Sequence, residues 1–222
     1  MRIALLGGTG DIGEGLALRW AYDTNHEVVI GSREADRAAN KAEEYETELS
    51  RRGLDVTVEG YANPEAAAGA DVVVVAVPPY HVADTVEAVA DDLDEDAVLV
   101  SPAVGMKRDE AGMHYHRPGA GSVTAVAADA APEAIPTVGA FHSLSADRLA
   151  NLDVELDLNT LVVGDDEDAR DTVAALGDDI EGIRPLDAGP LANAAEVESV
   201  TPLLINLARY NEGLAHAGVT FD

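Results

Sequence analysis

Apolar and polar positions along this chain fall into two kinds of block. Ile3-Ala4-Leu5-Leu6 is a short unbroken apolar run closed by two glycines, as expected of a strand buried on both faces. Gly15 to Trp20 then reads as a helix and His26 to Ile30 as a second strand. The pattern predicts a long charged helix from Glu34 to Arg52, an alternating strand over Asp55–Glu59 and a short Ala-rich helical turn at 64–69. Four consecutive valines within Asp71–Val77 predict a central strand, stopped by Pro78-Pro79. Helix 80–90, strand Ala97–Val100, helix 122–131 and strand Pro136–Phe141 continue the alternation, while 103–119 reads as a glycine- and charge-rich loop. Beyond residue 145 come a strand over Leu158–Gly164, an acidic helix at 165–178 and a short strand from Ile183 to Leu186. A final long helix follows, with Pro202 inside it expected to kink it. Strands alternating with helices predict an α/β fold with a doubly wound parallel sheet of Rossmann type. The expected division is residues 1–144 for that domain and 145–222 for a small C-terminal α+β lobe, packed tightly against it with a cleft between.

Composition narrows this picture. The chain has 222 residues, of which 47% are apolar, enough for one full core and a smaller lobe. It has no cysteine, which removes disulfides, thiolate nucleophiles and cysteine-based zinc sites. No apolar run reaches the roughly 18–20 residues that span a bilayer, and the first strand leaves no room for a signal peptide, so a soluble cytoplasmic protein is expected. Charge changes the picture more. There are 42 acidic against 14 basic residues, a formal net charge of −28, and the only lysines are Lys41 and Lys107. The acidic residues are spread over amphipathic segments rather than gathered in a tail. Such a surface suits either capture of a basic partner or life in molar salt, where the Debye length is about 3 Å. The scarcity of lysine resembles proteins of halophilic archaea. Nucleic acid is not expected as a partner, because no basic patch is present to displace counterions.

The chemistry begins at Gly8-Thr9-Gly10-Asp11-Ile12-Gly13, which stands between a predicted strand and a predicted helix and so reads as a dinucleotide-binding turn. In that reading Gly8 permits the tight turn, Gly10 admits a pyrophosphate and Gly13 lets the helix pack close, while the helix N-terminus offers free N–H groups. About 20 residues on, where an NAD-binding chain places an acidic residue, stand Gly31-Ser32-Arg33, with Arg37 one helical turn later. Ser32, Arg33 and Arg37 suit a 2′-phosphate, hence NADP. The competing reading pairs both arginines with Glu34, Asp36 or Glu44, and Glu34 keeps NAD open. Strands ending at Val77-Pro78 and at Ser101-Pro102 suggest a wall of the nicotinamide pocket. His142 is read either as an acid/base or ligand-contacting group or as a structural histidine. His114 and His116 lack a third ligand at metal-site spacing, and no metal is expected.

Gly7–Gly13, Gly31-Ser32-Arg33, the string Arg184-Pro-Leu-Asp-Ala-Gly-Pro-Leu-Ala-Asn193, Glu198–Leu203 and Arg209-Tyr-Asn211 together resemble the coenzyme F420-dependent NADP oxidoreductases of archaea. The resemblance implies reversible hydride transfer between NADP(H) and the deazaflavin coenzyme F420. It implies that Thr9, Gly10, Asp11 and Ile12 hold the pyrophosphate and that Ser32, Arg33 and Arg37 hold the 2′-phosphate. It places Val77, His81 and Val104 on the nicotinamide side and His142, Ser143, Leu144, Leu191 and Asn193 on the deazaflavin side. Pro79-Tyr80 and Val104-Gly105-Met106 depart from the family pattern. Hydride exchange between two cofactors needs little acid/base machinery from the protein, and no catalytic residue is expected unless His142 serves. Small-molecule cofactors are the expected partners, with a homodimer possible. Two alternatives stay open: an NADP-dependent reductase of a small imino or keto acid, and a non-enzymatic NADP sensor. The absence of any lysine after Lys107 counts against the hydroxyacid dehydrogenase branch of the first.

Overall fold

The computed structural model describes residues 1–221. The first apolar run forms β1 (Arg2–Leu6), and the helix after the glycines is α1 (Asp11–Asp23). There follow β2 (Glu27–Ser32), α2 (Ala35–Arg51), β3 (Val58–Ala62) and α3 (Asn63–Ala67). Next come β4 (Val72–Val75), a single 3-10 turn at Pro79–His81, α4 (Val82–Glu87) and β5 (Val98–Ser101). β6 (Met106–Asp109) and β7 (Gly112–Tyr115) make a separate two-stranded ribbon. The chain continues through α5 (Val123–Ala130), β8 (Thr137–Gly139), α6 (Ala146–Ala150), β9 (Leu158–Gly164), α7 (Glu167–Asp178), β10 (Ile183–Asp187) and α8 (Ala194–Tyr210).

Eight strands form one sheet in the order β10-β9-β8-β5-β4-β1-β2-β3. From β3 across to β8 the six strands are parallel, which is the doubly wound Rossmann order with β8 as sixth strand. β9 joins β8 antiparallel, with Val138 opposite Gly164, and β10 joins β9 in parallel. The chain past residue 145 therefore continues the sheet across the expected boundary. All four valines of β4 are fully buried, which at about 1.5–3 kcal/mol each makes this central strand a large contributor to stability. α1, α2 and α7 supply one face of the core, including Leu16, Tyr45 and Leu176, while α3, α4 and α5 supply the other. Trp20 meets Phe141 edge to face at 5.6 Å, and its indole N–H donates to the Leu176 carbonyl at 2.9 Å.

Several expectations shift. The stretch 103–119 holds the ribbon β6–β7, whose outer strand is exposed along its length and so shows no burial period. β3 starts at Val58 rather than Asp55, where pairing with β2 begins. The helix expected over 80–90 is shortened to α4 by the proline-led 3-10 turn before it. α6 has five residues, below what apolar periodicity reveals. Arg19 is buried in α1 and donates to the carbonyls of Arg148, Leu149, Asn151 and Val154, stitching α1 to the segment after β8. Burial pulls its pKa below the ordinary arginine value.

Candidate functional site

The turn between β1 and α1 assigns its glycines differently from the motif. Gly7, not Gly8, takes the left-handed conformation, at φ +82°. A Cβ on Gly8 would lie 2.9 Å from the Leu5 carbonyl oxygen, and one on Gly13 would lie 2.6 Å from the Gly8 Cα. Those two positions are glycine for packing. Gly10 is neither strained nor crowded: φ is −100°, and the nearest atom to a Cβ there is the Gly7 carbonyl oxygen at 3.4 Å. Nothing inside the protein requires glycine at position 10, and the turn stays open on that side. Gly10 is also the N-cap of α1 and brings no side-chain cap, which leaves first-turn N–H groups open toward that approach. From α2, the buried Tyr45 hydroxyl donates to the Gly8 carbonyl at 2.7 Å and fixes the turn. Burial, reinforced by Glu14 and Glu44, raises the Tyr45 pKa and keeps that hydroxyl protonated.

A cleft of about 480 Å³ opens at the carboxyl ends of β1, β2 and β4. Gly7, Thr9, Gly10, Ser32, Arg33, Arg37, Val77, Pro78 and His81 line it, so the structure gathers most of the residues expected to hold a nucleotide. Gly8, Asp11, Ile12 and Gly13 belong to the turn and first helical turn behind Thr9 and Gly10. Val104 is buried in the stretch leaving β5 and does not line the cleft. Arg33 and Arg37 are exposed and pair with no carboxylate among the described residues, whereas Glu44 is taken by Lys41 at 2.6 Å. The ion-paired alternative for these arginines is thus not the one the chain adopts. Asn63, which the sequence did not flag, is buried in the wall, and its Oδ1 has no partner among the described residues. An orphaned acceptor, two free guanidinium groups and an uncapped helix start fit a phosphorylated nucleotide.

His142 follows β8 at its carboxyl end. Its ring is buried, and desolvation pushes its pKa down to about 4, so it is neutral. The Thr124 hydroxyl donates to Glu198 Oε1 at 3.0 Å, so it accepts from the His142 Nε2–H, 3.4 Å away. Nδ1 has no partner. Glu198 of α8 is fully buried and accepts from the Val123 and Thr124 amides at the start of α5, from the Thr124 hydroxyl and from the Tyr115 hydroxyl at 2.9 Å.

Ser143 and Leu144 reach a second cleft, of about 330 Å³, walled by Ser145, Ala146 and one face of α8: Thr201, Leu204, Ile205 and Ala208. His216 and Ala217 close its far side, with His216 Nδ1 3.2 Å from the Ser145 hydroxyl. The lining is mostly apolar. Its α8 residues recur at the three- and four-residue spacing of a helix face, the one sequence signal that could have found them. Leu191 and Asn193 are not brought here. Leu191 sits beside the 132–137 segment that enters β8, at the end opposite Ser143, and Asn193 donates to the Ala188 carbonyl at 2.8 Å. The direction of β9 and β10 carries residues 188–193 to that end, away from Ser143 and Leu144. Arg184, from the same string, donates to the Phe221 carbonyl and holds the chain's last residues against β9.

Residues 2–105 match the family described as NADP oxidoreductase, coenzyme F420-dependent. The F420-dependent NADP reductase of Methanothermobacter thermautotrophicus is 40% identical, over 99% of this chain and 94% of the relative. That of Methanocaldococcus jannaschii is 34% identical over 93% of this chain and 92% of its own. In fold, the chain is similar to a solved structure from Arthrobacter sp. FB24, described as a candidate F420-dependent NADP-reductase, with TM-score 0.75 and 24% identity over 94% of this chain and 93% of that one. It is also similar to Mycobacterium tuberculosis 3-hydroxyisobutyrate dehydrogenase, with TM-score 0.62 and 18% identity over 94% of this chain and 60% of that one.

Proposed function

The chain belongs to the coenzyme F420-dependent NADP oxidoreductases, and from that premise we propose that it transfers a hydride reversibly between NADP(H) and coenzyme F420. The observation that carries this is the pair of clefts: a polar one with two unpaired arginines, and an apolar one of a size and lining suited to a flat ring. The nicotinamide and the deazaflavin supply the redox chemistry; the protein aligns and dries them. Thr9, Gly10 and the open start of α1 take the pyrophosphate, and Ser32, Arg33 and Arg37 take the 2′-phosphate that separates NADP from NAD. Val77, Pro78 and His81 flank the nicotinamide. Ser143, Leu144 and the inner face of α8 hold the deazaflavin. No side chain is needed to carry a proton at the reacting carbons, in keeping with a His142 that is buried and neutral.

This reading includes a cytoplasmic enzyme without nucleic-acid partners. It also includes a homodimer, favoured by the exposed Leu203, Leu207 and Tyr210 on the outer side of α8. Among the described residues no helix is long and apolar enough to cross a membrane. The experiment is direct. Purified protein mixed with F420 and NADPH in molar salt is expected to bleach the deazaflavin absorbance. Reduction of an imino or keto acid with F420 left untouched would overturn the proposal, and NADPH binding without turnover of either would favour a sensor.

A further inference from the structure

The string Arg184–Asn193 is a distinctive stretch of the sequence, yet neither cleft is lined by any of it. Its first residues nevertheless stand at the edge where the clefts open. β9 runs antiparallel to β8, so the start of β9 lies level with the segment that leaves β8, and the Thr160 hydroxyl accepts from the Phe141 amide at 2.9 Å. β10 pairs with β9 in parallel, and Arg184 is opposite Asn159 in that register.

These two residues form a clasp. The buried Asn159 side chain donates to the Arg184 carbonyl at 3.0 Å, and its Oδ1 accepts from the Phe221 amide at 2.6 Å. The Arg184 guanidinium donates to the Phe221 carbonyl and, at 3.5 Å, to Asn159 Oδ1. The Asn159 amide donates to the Val219 carbonyl at 2.7 Å. Gly218 lies so close that a Cβ there would be 2.0 Å from Leu158 Cδ2, a buried core side chain. Immediately before the clasp, His216 and Ala217 make the far side of the apolar cleft. His216 is held in the left-handed conformation, at φ +55°, which a non-glycine residue keeps only where its surroundings impose it. Its ring meets only the Ser145 hydroxyl at 3.2 Å and the Asp147 carboxylate at 3.4 Å. Residues 212–215 are exposed, and their one hydrogen bond among the described residues is from the Leu214 amide to the Asn211 carbonyl. This side of the cleft is therefore fixed from the clasp and not from α8.

We propose that Arg184 and Asn159 are positioning residues for the apolar cleft: by clasping residues 219–221 they hold His216 and Ala217 as a strap along the ring, without touching it themselves. The inference rests on the reading of that cleft as the deazaflavin site. Segments with few buried contacts open at little cost, so a strap loose at 212–215 and secured at 219–221 admits the ring and closes over it. Arginine suits position 184 because its fork reaches a carbonyl and the Asn159 side chain together.

The test is equilibrium titration of the full chain with F420, read by quenching of deazaflavin fluorescence in molar salt without nicotinamide. Arg184 is exposed, and circular dichroism confirms the fold of each variant. Arg184→Ala is expected to bind F420 about five- to tenfold more weakly, the worth of one or two hydrogen bonds. Arg184→Lys, which can serve one of the two acceptors, should recover part of that loss. Gly218→Val lifts the same segment by collision with Leu158 and should weaken binding as well. Adding Arg184→Ala to Gly218→Val should cost nothing more, because the strap is already lifted. In the wild type F420 should also slow amide exchange over residues 216–221, and in Arg184→Ala it should not. Losses that simply add in the combined variant, or exchange over 216–221 that F420 does not alter in the wild type, would overturn the inference. Failure of the wild type itself to bind or reduce F420 would instead strike the proposed function.

Discussion

Gly10 and Gly13 look alike in a motif but answer to different demands. A methyl at position 13 would meet the Gly8 Cα at 2.6 Å, so Gly13→Ala should destabilise the fold by about 1–3 kcal/mol. A methyl at position 10 meets nothing closer than 3.4 Å, so Gly10→Ala should melt within about 0.5 kcal/mol of wild type yet lose much of its NADPH affinity. Thermal melts and NADPH titrations of the two variants separate these outcomes, and equal melts would refute the division. His142 makes a second prediction. Its folded pKa of about 4 lies below its ordinary 6.5, so the unfolded chain binds the extra proton first. The stability that neutral His142 contributes is complete above pH 6.5 and drains away as pH falls toward 4. Set against His142→Gln, the wild type should therefore lose its advantage over that window, read from paired melting curves. The residues expected at the nucleotide cleft were legible because a turn, a strand end and a helix start lie within one stretch of chain. Asn63 and Tyr45 were not, since each acts on the site from another element.

At the scale of elements, strands buried on both faces announce themselves. β1 and β4 are apolar nearly throughout, β9 is apolar from Leu161 on, and all three stand where expected. The ribbon does not: its outer strand is wet on both sides, and four residues carry no period. The apolar cleft was equally hidden, because Ser145, Leu204 and His216 converge from distant parts of the chain. The least visible join is the one Glu198 makes. By accepting two amides of α5, the Thr124 hydroxyl and the Tyr115 hydroxyl, it ties α8, α5 and the ribbon together from inside the core. Glu198→Ala would take the acceptor from three buried donors and release the half-buried Tyr115 hydroxyl, and a cost of at least about 3 kcal/mol in urea unfolding is expected. Glu198→Gln retains an acceptor and should cost less. A small loss for the alanine variant would show that water replaces the carboxylate at no cost.

For the molecule as a whole, the charge of −28 sets the conditions under which it works. Self-repulsion opposes compactness when screening is weak, and the same field opposes two anionic cofactors. Between about 0.1 and 1 M salt the Debye length shrinks from roughly 10 to 3 Å. Melting temperature and NADPH affinity should both rise over that range and beyond, and a melting temperature indifferent to salt would contradict the expectation. The guanidinium of Arg19 bears on the whole molecule in another way. It is satisfied only by carbonyls some 130 residues further along, and Trp20 waits likewise for Leu176. In a nascent chain these side chains therefore lack their partners until the far side of the sheet has been synthesised. The first helix to be made is thus among the last to gain its partners.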